Sequence, residues 1–191
     1  MIDPQLFPAL AAKLSPAIYF IVVIFNTIIN PGFESIYLLV SYAIFFFGVP
    51  LLKDGIFKPI YKLSHRKELP LLGPGIRPSG ARSCSLSGTD EIDISFGMPS
   101  GHSLLTIFVT TYLLLHMYYM DYSKFTNPQA IKIVYGIIGG LMVLVSGFII
   151  YSRVAIAGCH TVQQTVVGSI IGLGFGFLAF YMKPLIQKRI D

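Results

Sequence analysis

Long apolar runs separated by short polar ones dominate this chain. A bilayer-spanning helix needs about 20 mostly apolar residues, and five runs approach that length: residues 15–30, 33–53, 102–120, 130–152 and 161–182. Ser15 and Pro16 are typical of a helix N-cap and first helical position. The preceding run, 4–14, is too short to span, so we expect it to lie along the interface. The pattern predicts an all-α, polytopic membrane helical bundle of about five transmembrane helices, built as a single domain over residues 1–191.

The connections between these runs are unequal. A polar loop of residues 54–100, rich in Gly and Pro at its centre, separates the second and third helices, and loops of this length are commonly functional. The helix count places this loop on the same membrane side as the short loop between helices four and five. In the fifth run, small residues favour close helix packing; they stand at positions 168, 172, 174 and 176.

Composition narrows the class of protein. Hydrophobic residues make up 54% of the chain and charged residues 12%, which is too apolar for a soluble domain of this size. We therefore expect an integral, multi-pass membrane protein. The net charge of +5 indicates contacts with anionic headgroups or an anionic substrate, so the expected partners are membrane lipids and not nucleic acid. Cys84 and Cys159 do not have metal-site spacing; free thiols are favoured, although the two would share a side and could pair.

Polar residues interrupt the apolar pattern on one membrane side. The run FGMPSGHSLLTIF places Ser100, Gly101 and His102 at the start of the third helix. Arg153 ends the fourth helix and His160 begins the fifth, so a short loop holds them close. Arg77 lies in the long loop and is followed by Pro78, which restrains the backbone there. We expect these residues to converge at one end of the bundle. His116, near the far end of the third helix, is expected to be structural.

This set of side chains favours phosphate chemistry. Guanidinium groups make forked hydrogen bonds to phosphate oxygens, and backbone N–H groups at a helix start bind anions. One histidine could attack phosphorus while the other protonates the leaving group. The cations would stabilise the charge of the transferring phosphoryl group. Neither a metal ion nor another cofactor is required by this chemistry.

Three motifs resemble those of the type-2 phosphatidic acid phosphatase superfamily. PSGH at 99–102, followed by Ser103, matches its middle motif. Ser152-Arg153 and His160 resemble its third motif, and Arg77-Pro78 resembles the end of its first. The resemblance implies a helical bundle with its site at the membrane surface and catalytic motifs within about residues 53–164. It also implies a two-step dephosphorylation through a phosphohistidine.

The third motif departs from the family pattern at two places. The family usually has five residues between Arg and His, whereas six separate Arg153 from His160, so one residue must bulge. Where the family often places Asp four residues after the histidine, this chain has Gln164. Its amide could accept the imidazole N–H and select the tautomer. The pattern His-Thr-x-x-Gln is most similar to dolichyl diphosphatases, which act on polyprenyl diphosphates.

The sequence does not decide which residue is the lysine of the first motif. The family places Lys seven residues before the Arg of its RP pair, but Pro70 stands there. The stretch GVPLLKDGIFKP resembles the helix end that carries the family's lysine, which indicates Lys53. Lys58, Lys62 and Lys67 are the alternatives.

The resemblance therefore implies two sets of site residues. The catalytic set is His160, His102 and Gln164. The phosphate-binding set is Lys53, Arg77, Ser100, Gly101 and Arg153.

The leading functional interpretation is a metal-independent, integral membrane phosphatase that acts on a lipid phosphate or diphosphate. Polyprenyl diphosphate is favoured as the substrate, with a phosphatidic acid or phosphatidylglycerophosphate phosphatase as the alternative. A non-catalytic lipid-phosphate binder or transporter is the alternative from another class. It would need the cations but not both histidines.

Overall fold

The computed structural model describes residues 6–29, 31–79, 81 and 95–190. Within these ranges the regular secondary structure is helical apart from one small hairpin and one isolated β-bridge. The α-helices are α1 (Leu6–Ile29), α2 (Phe33–Leu52), α3 (Lys58–Leu63), α4 (Gly101–Tyr118), α5 (Pro128–Tyr151) and α6 (Val162–Ile190). The hairpin pairs strand β1 (Glu68–Leu69) with strand β2 (Gly73–Pro74) in antiparallel register.

Among the described residues, three helical stretches are long and apolar enough to cross a membrane, judged by length and composition: Phe33–Leu63, Pro128–Ile156 and Val162–Arg189. They are compatible with an integral membrane protein. The all-helical architecture is thus confirmed, whereas the count of five transmembrane helices stays a prediction. Helix α4, which has 18 residues, is largely enclosed by the other helices. Its residues Leu104, Phe108 and Val109 are 1% exposed or less.

Helix α1 begins earlier than the sequence pattern indicates. It runs without a break from Leu6 to Ile29, with Pro16 in its interior, so the prediction of a helix start at Ser15 is wrong. The buried hydroxyl of Tyr42 on α2 donates a 2.7 Å hydrogen bond to the carbonyl oxygen of Pro16. This contact with α2 stabilises a continuous α1 across Pro16, although proline by itself favours the first turn of a helix.

Helices α4 and α6 approach closely because glycine lines their contact. A Cβ atom at Gly168 would lie 2.5 Å from the carbonyl oxygen of Ser100, and one at Gly172 would collide with the carbonyl oxygen of Leu104. Gly176 packs against Thr111 in the same way. The predicted small-residue contact is confirmed at these three positions, but Gly174 faces open space.

The polar stretch between α2 and α4 is shorter than predicted. After Leu52 the chain continues through a π-helical turn, Lys53–Phe57, into α3, so it remains helical to Leu63. Beyond the hairpin, Ile76 forms an antiparallel bridge with Phe96, which returns the chain to the start of α4. The loop boundary predicted at residue 54 is wrong, because polar side chains such as Asp54 and Lys58 pair with each other on the exposed helix surface at 3.3 Å.

Cys159, the one cysteine among the described residues, is buried and disulfide-bonded. The expectation of a free thiol is therefore wrong for Cys159. The chain's other cysteine, Cys84, lies outside the described residues. Cys159 adjoins His160, so its covalent bond restrains the loop that carries this histidine.

Candidate active site

His160 and Gln164 form a buried pair at the start of α6. Their side chains are 3% and 0% exposed, and Nδ1 of His160 lies 2.9 Å from Oε1 of Gln164. The amide nitrogen of Gln164 donates to the carbonyl oxygens of Pro74 and Ile76, each at 2.9 Å. Because only the NH₂ group can donate to two carbonyls, the amide oxygen of Gln164 must face the imidazole.

This orientation determines the tautomer of neutral His160. Its Nδ1 must carry the hydrogen, since the oxygen of Gln164 can only accept. The lone pair of the neutral ring then lies on Nε2. The same arrangement makes Nε2 the atom of His160 that is able to attack an electrophile.

Thr161 completes the start of α6. Its hydroxyl accepts a 3.3 Å hydrogen bond from the backbone N–H of Gln164, while Oε1 of Gln164 accepts one from the backbone N–H of Thr161, also at 3.3 Å. These reciprocal bonds are a capping box, whose sequence signature is Thr-x-x-Gln. The sequence reasoning missed Thr161, although this signature was available to find it.

Electrostatics keep His160 neutral. Burial lowers its pKa well below the ordinary value of 6.5, the hydrogen bond to Gln164 opposes this, and the positive charges of Arg153, Lys53 and Arg77 lower it further. Burial and the three cations both disfavour a further positive charge in this desolvated site. The imidazole is therefore unprotonated at neutral pH, with its Nε2 lone pair available.

Arg153 reaches the site from a π-helical turn, Ser152–Ile156, that extends α5. Its side chain is 1% exposed. The carbonyl oxygen of Arg153 accepts from the backbone N–H groups of Cys159 at 2.9 Å and His160 at 3.2 Å, which folds the connecting loop back onto the turn. Single π-helical turns of this kind are frequent at functional sites.

Ser100 and its neighbours form the start of α4. The Ser100 side chain caps the helix by accepting from the backbone N–H of Ser103 at 3.4 Å, and its own N–H donates to the carbonyl oxygen of Gln164 at 3.0 Å. The first N–H groups of a helix have no partner within it, so the amides of Gly101 and His102 are directed beyond the helix end. Ser100 is thus the N-cap of α4, at the helix start that the sequence pattern predicts.

His102 is tied to α1. Its Nε2 lies 3.0 Å from the carbonyl oxygen of Lys13, and because a carbonyl only accepts, Nε2 carries the hydrogen. Nδ1 of His102 is then the ring atom left for other partners. No pattern in the sequence indicated this contact, since a backbone carbonyl can be presented by any residue type.

Arg77 returns to the site through backbone pairing of two loop segments. Its N–H donates to the carbonyl oxygen of Ser95 at 3.3 Å, and the N–H of Gly97 donates to that of Gly75 at 2.8 Å. A methyl group at Gly97 would lie 2.8 Å from both Cγ of Arg77 and Oε1 of Gln164. Arg77 therefore packs beside Gln164, and Gly97 is a site residue that sequence reasoning missed.

The four candidate lysines differ in position. Lys53 is half-buried at the start of the first π-helical turn, and its charge is one of the causes that lower the pKa of His160. Lys58, Lys62 and Lys67 are exposed. The structure thus brings Lys53 to the two arginines and His160, and does not bring the other three there.

His116 lies at the opposite end of α4 from Ser100. Its Nδ1 is 3.3 Å from a carboxylate oxygen of Glu34, and Glu34 also binds the ammonium group of Lys183 at 2.7 Å. This arrangement joins α2, α4 and α6 far from His160, in keeping with the structural role expected for His116.

Comparison with known proteins completes the description of the site. No curated protein and no solved structure matches the chain significantly. The family model described as PAP2 superfamily matches residues 34–188, which includes every residue placed in the site above except Lys13. A match over this range supports a phosphatase-type enzyme. The chain accordingly belongs to the PAP2 superfamily.

Proposed function

We propose that this protein is an integral membrane phosphatase that hydrolyses the phosphate monoester or diphosphate of a lipid through a phosphohistidine on His160. The observation that carries the proposal is the 2.9 Å contact between Nδ1 of His160 and Oε1 of Gln164. It leaves Nε2 of a neutral imidazole as the nucleophile within the field of Arg153, Lys53 and Arg77.

In the first step, Nε2 of His160 attacks phosphorus and forms the N–P bond as the P–O bond to the leaving group breaks. The leaving oxygen takes a proton from His102. Because neutral His102 keeps its hydrogen on the carbonyl of Lys13, it acts as acid from the imidazolium form through Nδ1. In the ligand-free protein, burial and the nearby cations lower the pKa of His102 to about 3, so this imidazolium form depends on the negative charge of a bound phosphate dianion.

In the second step, water attacks the phosphohistidine and His102 accepts a proton from it. The N–P bond breaks, inorganic phosphate leaves, and Nε2 of His160 regains its lone pair. Arg77, Arg153 and Lys53 stabilise the charge on the phosphoryl oxygens in both steps. The hydroxyl of Ser100 and the amide of Gly101 supply hydrogen-bond donors to the same oxygens.

Within this proposal, polyprenyl diphosphate is the favoured substrate, because the pattern His-Thr-x-x-Gln at residues 160–164 is most similar to that of dolichyl diphosphatases. Phosphatidic acid and phosphatidylglycerophosphate form the second substrate class. A uniformly cationic pocket suits all three headgroups, so substrates must be compared directly.

The test is release of inorganic phosphate by the purified protein from farnesyl diphosphate and from phosphatidic acid, in buffer containing EDTA. We expect turnover by the wild type and none by His160→Ala. Acid-labile, base-stable labelling of the protein by ³²P substrate should appear in the wild type only. Binding without turnover in the wild type would instead favour the non-catalytic binder or transporter, and full activity of His160→Ala would exclude His160 as nucleophile.

A further inference from the structure

An exposed, positively charged surface surrounds the small hairpin that follows α3. Lys62, Arg66 and Lys67 precede the hairpin, and all three are exposed. None of them forms an ion pair within the described part of the chain, and the stretch 62–74 contains a single acidic residue, Glu68. The chemistry proposed above uses none of these cations, so their charge is available to an anionic partner.

Two large apolar side chains project from the same stretch. Leu71, the central residue of the turn between β1 and β2, is 97% exposed, and Leu63 at the end of α3 is 80% exposed. Among the large hydrophobic residues that the structure describes, Leu71 is the most exposed. Apolar surface of this kind is unfavourable in water. A membrane boundary, where hydrocarbon adjoins charged headgroups, suits an apolar tip that follows a run of cations.

The base of the hairpin is fixed to α3 and to the start of α6. The hydroxyl of Tyr61 donates to the carbonyl oxygen of Gly73 at 2.8 Å, and Nε2 of Gln164 donates to that of Pro74 at 2.9 Å. A Cβ atom at Gly73 would lie 2.8 Å from Cβ of Gln163, so β2 packs directly on α6. The hairpin therefore has a defined place relative to the membrane helices.

That place is at a membrane boundary. The stretch Val162–Arg189 is long and apolar enough to cross a bilayer, so Gln163 at its start lies where hydrocarbon meets headgroups. Leu71 is two residues from Gly73, a separation of at most about 7 Å, which is about the thickness of one headgroup layer. Leu71 and the cations that precede it are therefore within reach of lipid.

We propose that this hairpin surface, formed by Lys62, Arg66, Lys67 and Leu71, docks on anionic lipids of the membrane that holds the protein. The cations bind the phosphates of the lipid headgroups, and Leu71 enters the adjoining hydrocarbon. The inference is independent of the proposed function, because it concerns charge and apolar exposure outside the catalytic and phosphate-binding sets.

A fluorescent probe at the hairpin tip tests the proposal. The chain contains no tryptophan, so Leu71→Trp introduces a single fluorophore at a highly exposed position. The full-length protein is reconstituted in vesicles of phosphatidylcholine mixed with phosphatidylglycerol, in which one lipid or the other carries brominated chains that quench tryptophan. Ile137→Trp, at an exposed position on α5, is the control for a side chain in contact with hydrocarbon.

We expect both brominated lipids to quench Leu71→Trp. Brominated phosphatidylglycerol should quench it about twofold more strongly than brominated phosphatidylcholine, because cations at a membrane attract anionic lipids. Adding Arg66→Gln and Lys67→Gln to this protein should reduce the preference. Adding Lys188→Gln and Arg189→Gln, which remove the same charge from the far end of α6, should leave it unchanged.

Several outcomes would overturn the proposal. Failure of both lipids to quench Leu71→Trp would do so: red-shifted emission would place the tip in water, and blue-shifted emission would place it against protein, such as a second copy of this chain. Equal quenching by the two lipids, or a preference that Arg66→Gln with Lys67→Gln leaves unchanged, would exclude anionic headgroups as the partner. If that variant does not fold, added salt replaces it, since salt screens exposed charges; a preference insensitive to salt would exclude the same partner.

Discussion

The side-chain oxygen of Gln164 accepts a hydrogen bond from Nδ1 of His160 at 2.9 Å, while the nitrogen of the same amide holds two carbonyls of the loop before Arg77. One side chain thus orients the proposed nucleophile and anchors the segment that carries a phosphate-binding arginine. A carboxylate could perform the first task but not the second, since it has no hydrogen to donate.

Gln164→Glu should therefore damage the enzyme even though it introduces a carboxylate of the kind often found in the family. Two partly buried carbonyls would lose their donor, at a cost of at most about 1–3 kcal/mol each. We expect kcat to fall and KM to rise together, with a lower thermal midpoint. Gln163→Glu, on the exposed neighbour, is the matched control and should leave all three quantities unchanged. Wild-type KM in Gln164→Glu would contradict the anchoring role.

The lowered pKa of His160 predicts that its ring stays neutral as the pH falls through 6.5. Burial and the nearby cations disfavour the added proton, so the neutral, nucleophilic form persists into more acidic solution. NMR of the protein labelled at its four histidines, with Gln164→Ala and His160→Ala to assign the resonances, measures this directly. A His160 titration midpoint at or above 6.5 in the ligand-free protein would contradict the described electrostatics.

Lys53 and Lys58 lie on the same continuous helix but have different surroundings. Lys53→Met should reduce kcat/KM by about 10²–10³, the usual effect of removing one group that stabilises transition-state charge. Lys58→Met should have little effect, because Lys58 is exposed and pairs with Asp54 at 3.3 Å. Steady-state kinetics of the two variants shows which residue is the lysine of the first motif. A larger loss of kcat/KM in Lys58→Met than in Lys53→Met would assign it to Lys58.

Gly97→Ala should lower activity through crowding alone. The added methyl group would lie 2.8 Å from both Arg77 and Gln164, so one of them must move, and such overpacking costs about 1–3 kcal/mol. Gly174→Ala, in open space on α6, is the control. Unchanged kcat/KM in Gly97→Ala would show that the contact of Arg77 with Gln164 is not required.

Several features of the fold follow from local pattern and were predicted. Ser100 followed by Gly and an apolar run is a helix start, and the glycines at 168, 172 and 176 repeat every four residues, which places them on one helix face. The start of α1 was predicted wrongly. Pro16 gives the same local signal at the first position of a helix as in a helix interior. Tertiary contacts with this part of α1, from Tyr42 to the carbonyl of Pro16 and from His102 to that of Lys13, cannot be read from the local sequence.

The sequence alone determined the residue types available for phosphate chemistry and the order in which the helices present them, because composition and spacing set helix length, helix ends and the faces of each helix. Only the tertiary structure decided that Lys53 approaches His160, that Arg153 lies on a π-helical turn, and that Gln164 binds carbonyls 90 and 88 positions away. Those carbonyls belong to the backbone, which is the same for every residue type, so their positions depend on how the chain packs and leave no trace in the local sequence.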